Sequence, residues 1–132
     1  MPVRQQKLIT ILDAKAATGI GKVIVCSDHV NIIIAIASAS SGSMTIKCKG
    51  SIGNVKPDFT AAASPSNMWS TIQLVDLADG VAVNGDDGMV LPGTDDVRLF
   101  EVNTNDLDYL TLDITAWAAG AATAVARLCD NA

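Results

Sequence analysis

The run VNIIIAIASASSGSMTIKCKGSI, Val30–Ile52, decides the fold. Its first part, Val30–Ala37, is β-branched and apolar apart from Asn31, which suits a strand buried on both faces and therefore central in a sheet. Its second part, Met44–Ile52, alternates. Met44, Ile46 and Cys48 share one face, and Thr45, Lys47 and Lys49 the other, as in a half-buried strand. Ser40-Ser41-Gly42 between them reads as a turn.

Working outward, β signals recur at short spacing. Lys7–Leu12 and Lys22–Cys26 precede the central run, and Trp69–Asp76, with Ile72 and Leu74 inward, follows it. In Val97–Thr104, Val97 and Leu99 face away from Phe100 and Val102. In Tyr109–Thr115, Leu110, Leu112 and Ile114 oppose Thr111 and Asp113. The alanine-rich Ala116–Leu128 is ambiguous, because alanine favours helix. Gly120 interrupts that helix, and the alternation of Thr123, Val125 and Arg127 with Ala124, Ala126 and Leu128 favours a strand over Ala121–Cys129. Gly-rich punctuation at Gly19–Gly21, Asp79-Gly80, Asn84-Gly85, Asp87-Gly88 and Pro92-Gly93 separates the runs. The expectation is a single all-β domain over 1–132, a β-sandwich of eight strands in a jelly roll.

A long ordered loop is expected after the fourth strand, at 50–68, in GSIGNVKPDFTAAASPSNMW (Gly50–Trp69). Connections beyond roughly 12–15 residues are uncommon in compact domains and are usually functional. This one carries Pro57, Phe59, Pro65 and Trp69, so it brings its own anchors and is built to lie on its own sheet or on a neighbouring subunit.

Composition excludes several roles. The chain has 132 residues, 49% hydrophobic, 4% aromatic and 17% charged, with a formal net charge of −5. The core is therefore aliphatic. Sparse charge suggests apolar surface covered by a partner. The negative balance disfavours nucleic acid, which is held by Lys and Arg on phosphates. No run reaches the 18 or more apolar residues of a membrane helix, and no signal peptide is visible. Cys26, Cys48 and Cys129 show no pairing motif and read as reduced, buried thiols.

Catalytic chemistry finds little to work with. His29 is the one histidine, and Cys26-Ser27-Asp28-His29 reads as a turn and not as part of a triad. The cysteines and His29 lack zinc spacing. Asn84–Gly88 and Asp95-Asp96 offer oxygens for calcium, but Asn, Asp and Gly in such runs ordinarily just make turns. No phosphate-binding glycine loop is present. No cofactor, metal or catalytic residue is expected, and His29→Ala is expected to be silent.

From about Lys47 to Leu112 the chain resembles small virion structural proteins of tailed bacteriophages. The resemblance is carried by Gly50-Ser51 ending a strand, Pro57-Asp58-Phe59, Asn67-Met68-Trp69, Asp76-Leu77-Ala78-Asp79-Gly80, Gly93-Thr94-Asp95-Asp96 and the strand Arg98–Asn103. It implies a β-sandwich on the outer surface of a phage head, a capsid cement or decoration protein with the major capsid protein as partner. Free thiols suit assembly in the host cytoplasm. A closed dimer or trimer is expected. The Val55–Asn67 loop with Pro57 and Phe59, then Trp69, and the N-terminal arm (1–7) with Arg4 and Lys7 are the expected contacts. Alternatives are a tail, head-completion or fibre-anchoring protein, and a carbohydrate-binding module using an exposed Trp69 or Trp117.

Overall fold

Two long strands organise the molecule. The computed structural model describes residues 6–27, 29–91, 96–103 and 107–130. Strands β4 (His29–Ser51) and β10 (Tyr109–Asp130) run 23 and 22 residues. They pair antiparallel from end to end, from His29 opposite Asp130 to Ser51 opposite Tyr109. Each has different companions along its two halves. In the first half, β1 (Gln6–Lys15) lies beside β10, and β9 (Asp96–Asn103) lies beside β4. Beyond β9 come β6 (Leu74–Asp76) and β7 (Ala82–Val83), giving the order β1-β10-β4-β9-β6-β7. In the second half, β2 (Gly19–Ile20) and β3 (Ile24–Val25) pair with β10, while β5 (Ser70–Ile72) and β8 (Met89–Leu91) pair with β4.

The all-β expectation is met, with no helix among the described residues. The strand count differs: the described residues form ten strands in one antiparallel sheet, against the eight expected. Val30–Ala37 and Met44–Ile52 are one strand, and so are Tyr109–Thr115 and Ala121–Cys129. Ser40-Ser41-Gly42 is not a turn between two strands but a stretch within β4 without a register partner on β10, the ladder resuming on either side at Ala39 and Ser43. The register shifts three times around it: one extra β10 residue falls between Ile114 and Ala116 and another between Trp117 and Ala119, while between Ala119 and Ala121 the longer β4 stretch from Ala39 to Ser43 stands opposite. Gly120 sits at this place with φ +82°, a left-handed conformation that glycine adopts without penalty. Trp69–Asp76 is split at Gln73 into β5 and β6, which pair with different neighbours.

Side-chain alternation shows how the sheet curls. On β4 the even positions Ile32, Ile34, Ile36, Met44, Ile46 and Cys48 are buried along both halves. On β10 Leu110, Leu112, Ile114, Ala122, Ala124, Ala126 and Leu128 are buried likewise. All join one cluster, together with Phe100 and Val102 of β9 and Leu12 of β1. The two halves thus wrap one face around a single aliphatic core. Each fully buried Leu or Ile there contributes roughly 1.5–3 kcal/mol.

Cys26 and Cys48 are buried free thiols in this core. Burial pushes the Cys26 thiol up to about 12, with the negative charge of Asp108 adding to it. Cys48 is raised by burial first and by Cys26 second. Both therefore stay neutral and inert, as expected from sequence. The Cys129 and His29 side chains lie outside the described residues.

Candidate interaction loop

The segment from Ile52 to Trp69 lies on the outer face of the second half of the sheet, and its own residues hold it there. Lys49 is the post. Its position on β4 puts it on the face expected to be polar, yet it is buried. Its Nζ lies 2.7 Å from Asp113 Oδ2 on β10, donates to the Phe59 carbonyl at 3.2 Å and sits 4.2 Å from the Trp69 ring centroid. The cation thus has a carboxylate, a carbonyl oxygen and a π face as partners, which offsets the cost of removing it from water. Phe59 is 1% exposed, and its ring lies 6.4 Å from that of Trp69 at an interplanar angle of 49°, a tilted pair.

Asn67 closes the loop on itself. Its side-chain amide donates to the carbonyls of Asp58 at 2.8 Å and Ala62 at 3.2 Å, and its Oδ1 accepts from the Asp58 N–H at 2.8 Å. Its backbone exchanges two hydrogen bonds with Ser64, at 2.9 and 3.1 Å. Trp69 Nε1 donates to the Ala61 carbonyl at 3.0 Å. The Asp58 carboxylate accepts from the hydroxyl and the N–H of Thr60, which hold it below the usual carboxylate range. These bonds satisfy backbone groups that an irregular segment would otherwise leave to water.

Asp108 ties the base of the loop to the β3 turn. Its carboxylate accepts from Gly53 N–H at 2.6 Å and Ser27 Oγ at 3.0 Å, and its backbone bonds Cys26 and Ser51. Gly50 packs closely: a Cβ there would meet Ile72 Cγ1 at 3.0 Å, so the Ile72 side chain would have to give by a few tenths of an ångström. The loop turns three large apolar side chains outward among polar ones such as Asn54, Lys56 and Ser66. Val55 is 82% exposed, and Ile52 and Met68 stand beside it, with Pro57 and Pro65 in the same shallow groove.

The expected contact residues therefore divide. Phe59 and Trp69 are brought together with Lys49 as anchors under the loop. Pro57 lies half-buried on the groove, and Lys7 is exposed near the start of β1, away from the loop. Arg4 lies outside the described residues. Alternation put Lys49 and Asp113 on the faces opposite Cys48 and Leu112. Alternation names a face and not what covers it, so the signal was the loop itself, long enough to roof that face.

The acidic loop is turn chemistry. Asn84 Oδ1 accepts from Asp86 N–H at 2.8 Å, the Asn84 carbonyl accepts from Gly88 N–H at 2.9 Å, and Asp86 accepts from the Thr71 hydroxyl. Asp76 likewise shapes its turn, accepting from Ala78 N–H at 2.9 Å while paired with Arg98 at 2.7 Å. Among the described residues no three metal-ligating side chains come together, and no helix is long and apolar enough to cross a membrane. Gly93, Thr94 and Asp95 lie outside the described residues.

No family model matches the chain, and no curated protein is similar to it in sequence. Its fold does have solved counterparts. It is similar to the SPBc2 prophage-derived protein YomS, with a TM-score of 0.74 and 9% identity over 98% of this chain and 97% of that one. It is also similar to the PBSX exported protein XepA, with a TM-score of 0.76 and 8% identity, covering 98% of this chain but 39% of the other. At such identities the fold is what is shared: a curled antiparallel sheet found in prophage-derived proteins.

Proposed function

We propose that the chain is a phage-derived structural protein, a cement or decoration protein that binds the outer surface of a phage head and stabilises the shell. The observation that carries this reading is the roofed loop. The Asp58, Phe59, Asn67 and Trp69 side chains all hold the loop in place, and the loop then offers Ile52, Val55 and Met68 outward. A surface ordered before binding loses little entropy on docking, which suits a protein that acts by attachment. The fold shared with two prophage-derived proteins supports the phage origin. The reading includes a single sandwich-like domain, a non-enzymatic role and a homo-oligomer bound to the major capsid protein, without nucleic acid or membrane.

The mechanism is mass action. A protein that binds only the assembled shell stabilises it by its binding free energy, and many copies on a lattice add up small increments. Pro57 and the exposed loop residues contact the shell, and Lys7, with Arg4, meets its acidic surface. Trp117, 42% exposed, keeps a carbohydrate-binding alternative open, but its Nε1 is bonded to its own Gly120 carbonyl and Trp69 is covered by Lys49.

Copy number in purified particles, measured against the major capsid protein, tests the proposal. A ratio near one-to-one or a simple fraction of it is the expected result. A few per cent would move the protein to the tail or the head-completion region, and absence from particles would sink the virion reading.

A further inference from the structure

Among the described residues no loop roofs the outer face of the first half of the sheet. Two registered rows cross it. Leu8, Arg127, Ile33 and Glu101 lie side by side on β1, β10, β4 and β9. The next row is Thr10, Val125, Ala35 and Leu99, and Ala37 continues the central strand. Leu8 is 71% exposed and Leu99 47%, while Ile33, Ala35, Ala37 and Val125 are partly exposed in the middle. Four strands about 4.8 Å apart and the five positions from Ile33 to Ala37 at about 3.3 Å each give a patch of about 300 Å², within the range of the largest patch on a monomer.

We infer that this face is where a second copy of the chain packs. The argument is charge complementarity about β4. Arg127 and Glu101 are both exposed, and they flank Ile33 on opposite sides. Among the described residues neither has an ion-pair partner within its own chain. A two-fold axis running along β4 between two such faces places each Arg127 opposite the other copy's Glu101. The same axis stacks Ile33, Ala35 and Ala37 on themselves and sets Leu99 over Val125. A self-complementary patch is what a symmetric interface requires. The small alanines along the axis let two sheets approach to the usual spacing of about 10 Å. The patch is smaller than the roughly 800 Å² per partner of a standard interface, so the association is weak and concentration-dependent. An exposed Arg–Glu pair fixes register more than it adds affinity.

This deepens the homo-oligomer part of the proposed function and rests on it, but not on attachment to a shell. Sedimentation of the isolated full chain over a dilution series tests it. The expected result is reversible association that Arg127→Glu and Glu101→Arg each weaken by about tenfold or more, because each turns both symmetry-related charge pairs of the dimer into like-charge contacts. The doubly exchanged variant should recover most of that loss, and Ala35→Glu, which sets like charges against each other on the axis, should abolish association. An oligomer indifferent to all four variants would overturn the face while leaving the oligomer reading intact. A monomer at every concentration would overturn both, and the copy-number measurement would still judge the virion reading separately.

Discussion

The outer faces of the two halves of the sheet belong to the same two strands, yet one is roofed and the other bare. On the second half, β4 and β10 turn out Lys49 and Asp113, and the chain covers them with its own loop. On the first half the same strands turn out Ile33, Ala35 and Val125, and the described chain lays nothing over them. A buried cation needs specific partners at short range, and those are best supplied by a segment of the same chain that is always present. An apolar face needs only area, and another molecule can supply it.

Substitutions test the contrast most sharply at the anchors. Phe59→Ala empties a fully buried ring site and should cost about 3 kcal/mol or more, read as a lower denaturant midpoint with new protease cleavage between Ile52 and Trp69. Lys49→Met leaves Asp113 without its cation, and the loss should be about 2–3 kcal/mol, discounted slightly because both side chains keep some solvent contact. If Lys49→Met proved neutral, the loop would be held by packing alone. Asn67→Ala removes three side-chain hydrogen bonds and should cost about 1–2 kcal/mol, with faster amide exchange confined to the loop. On the bare face, Ala35→Glu should change monomer stability by no more than about 0.5 kcal/mol while affecting association.

The core beneath both faces supplies a pH test. The Cys26 thiol is raised from its usual 9.0 to about 12, so the folded state holds a proton that the unfolded chain releases. Its contribution to stability is complete below about pH 9 and is lost progressively as the pH rises towards 12. Thermal melts across that window should fall, and less so for Cys26→Ala.

Much of the architecture was legible because alternation is local. Met44, Ile46 and Cys48, Leu110, Leu112 and Ile114, and Phe100 and Val102 all face the core as their spacing indicates. The continuity of β4 through Ser40–Gly42 was not legible. Serine and glycine mark a turn only when no partner strand continues alongside, and that partner lies far away in sequence. The short strands β2, β7 and β8 carry too few residues to show a period. The loop was visible as an anomaly of length and aromatic content, but its post was not. Lys49 looks like any alternating lysine until the roof above it is known.

The pairing of β4 with β10 also governs how the chain acquires its shape in time. Seven of the buried core residues, Leu110, Leu112, Ile114, Ala122, Ala124, Ala126 and Leu128, are on β10, the last described strand, and every described residue of β4's ladder with it is distant in sequence. During synthesis Ile32, Ile34, Ile36 and Ile46 must wait uncovered until β10 has left the ribosome. Folding is then a late, slow closure dominated by long-range contacts. A truncated chain lacking β10 would present its whole apolar face to the cell at once.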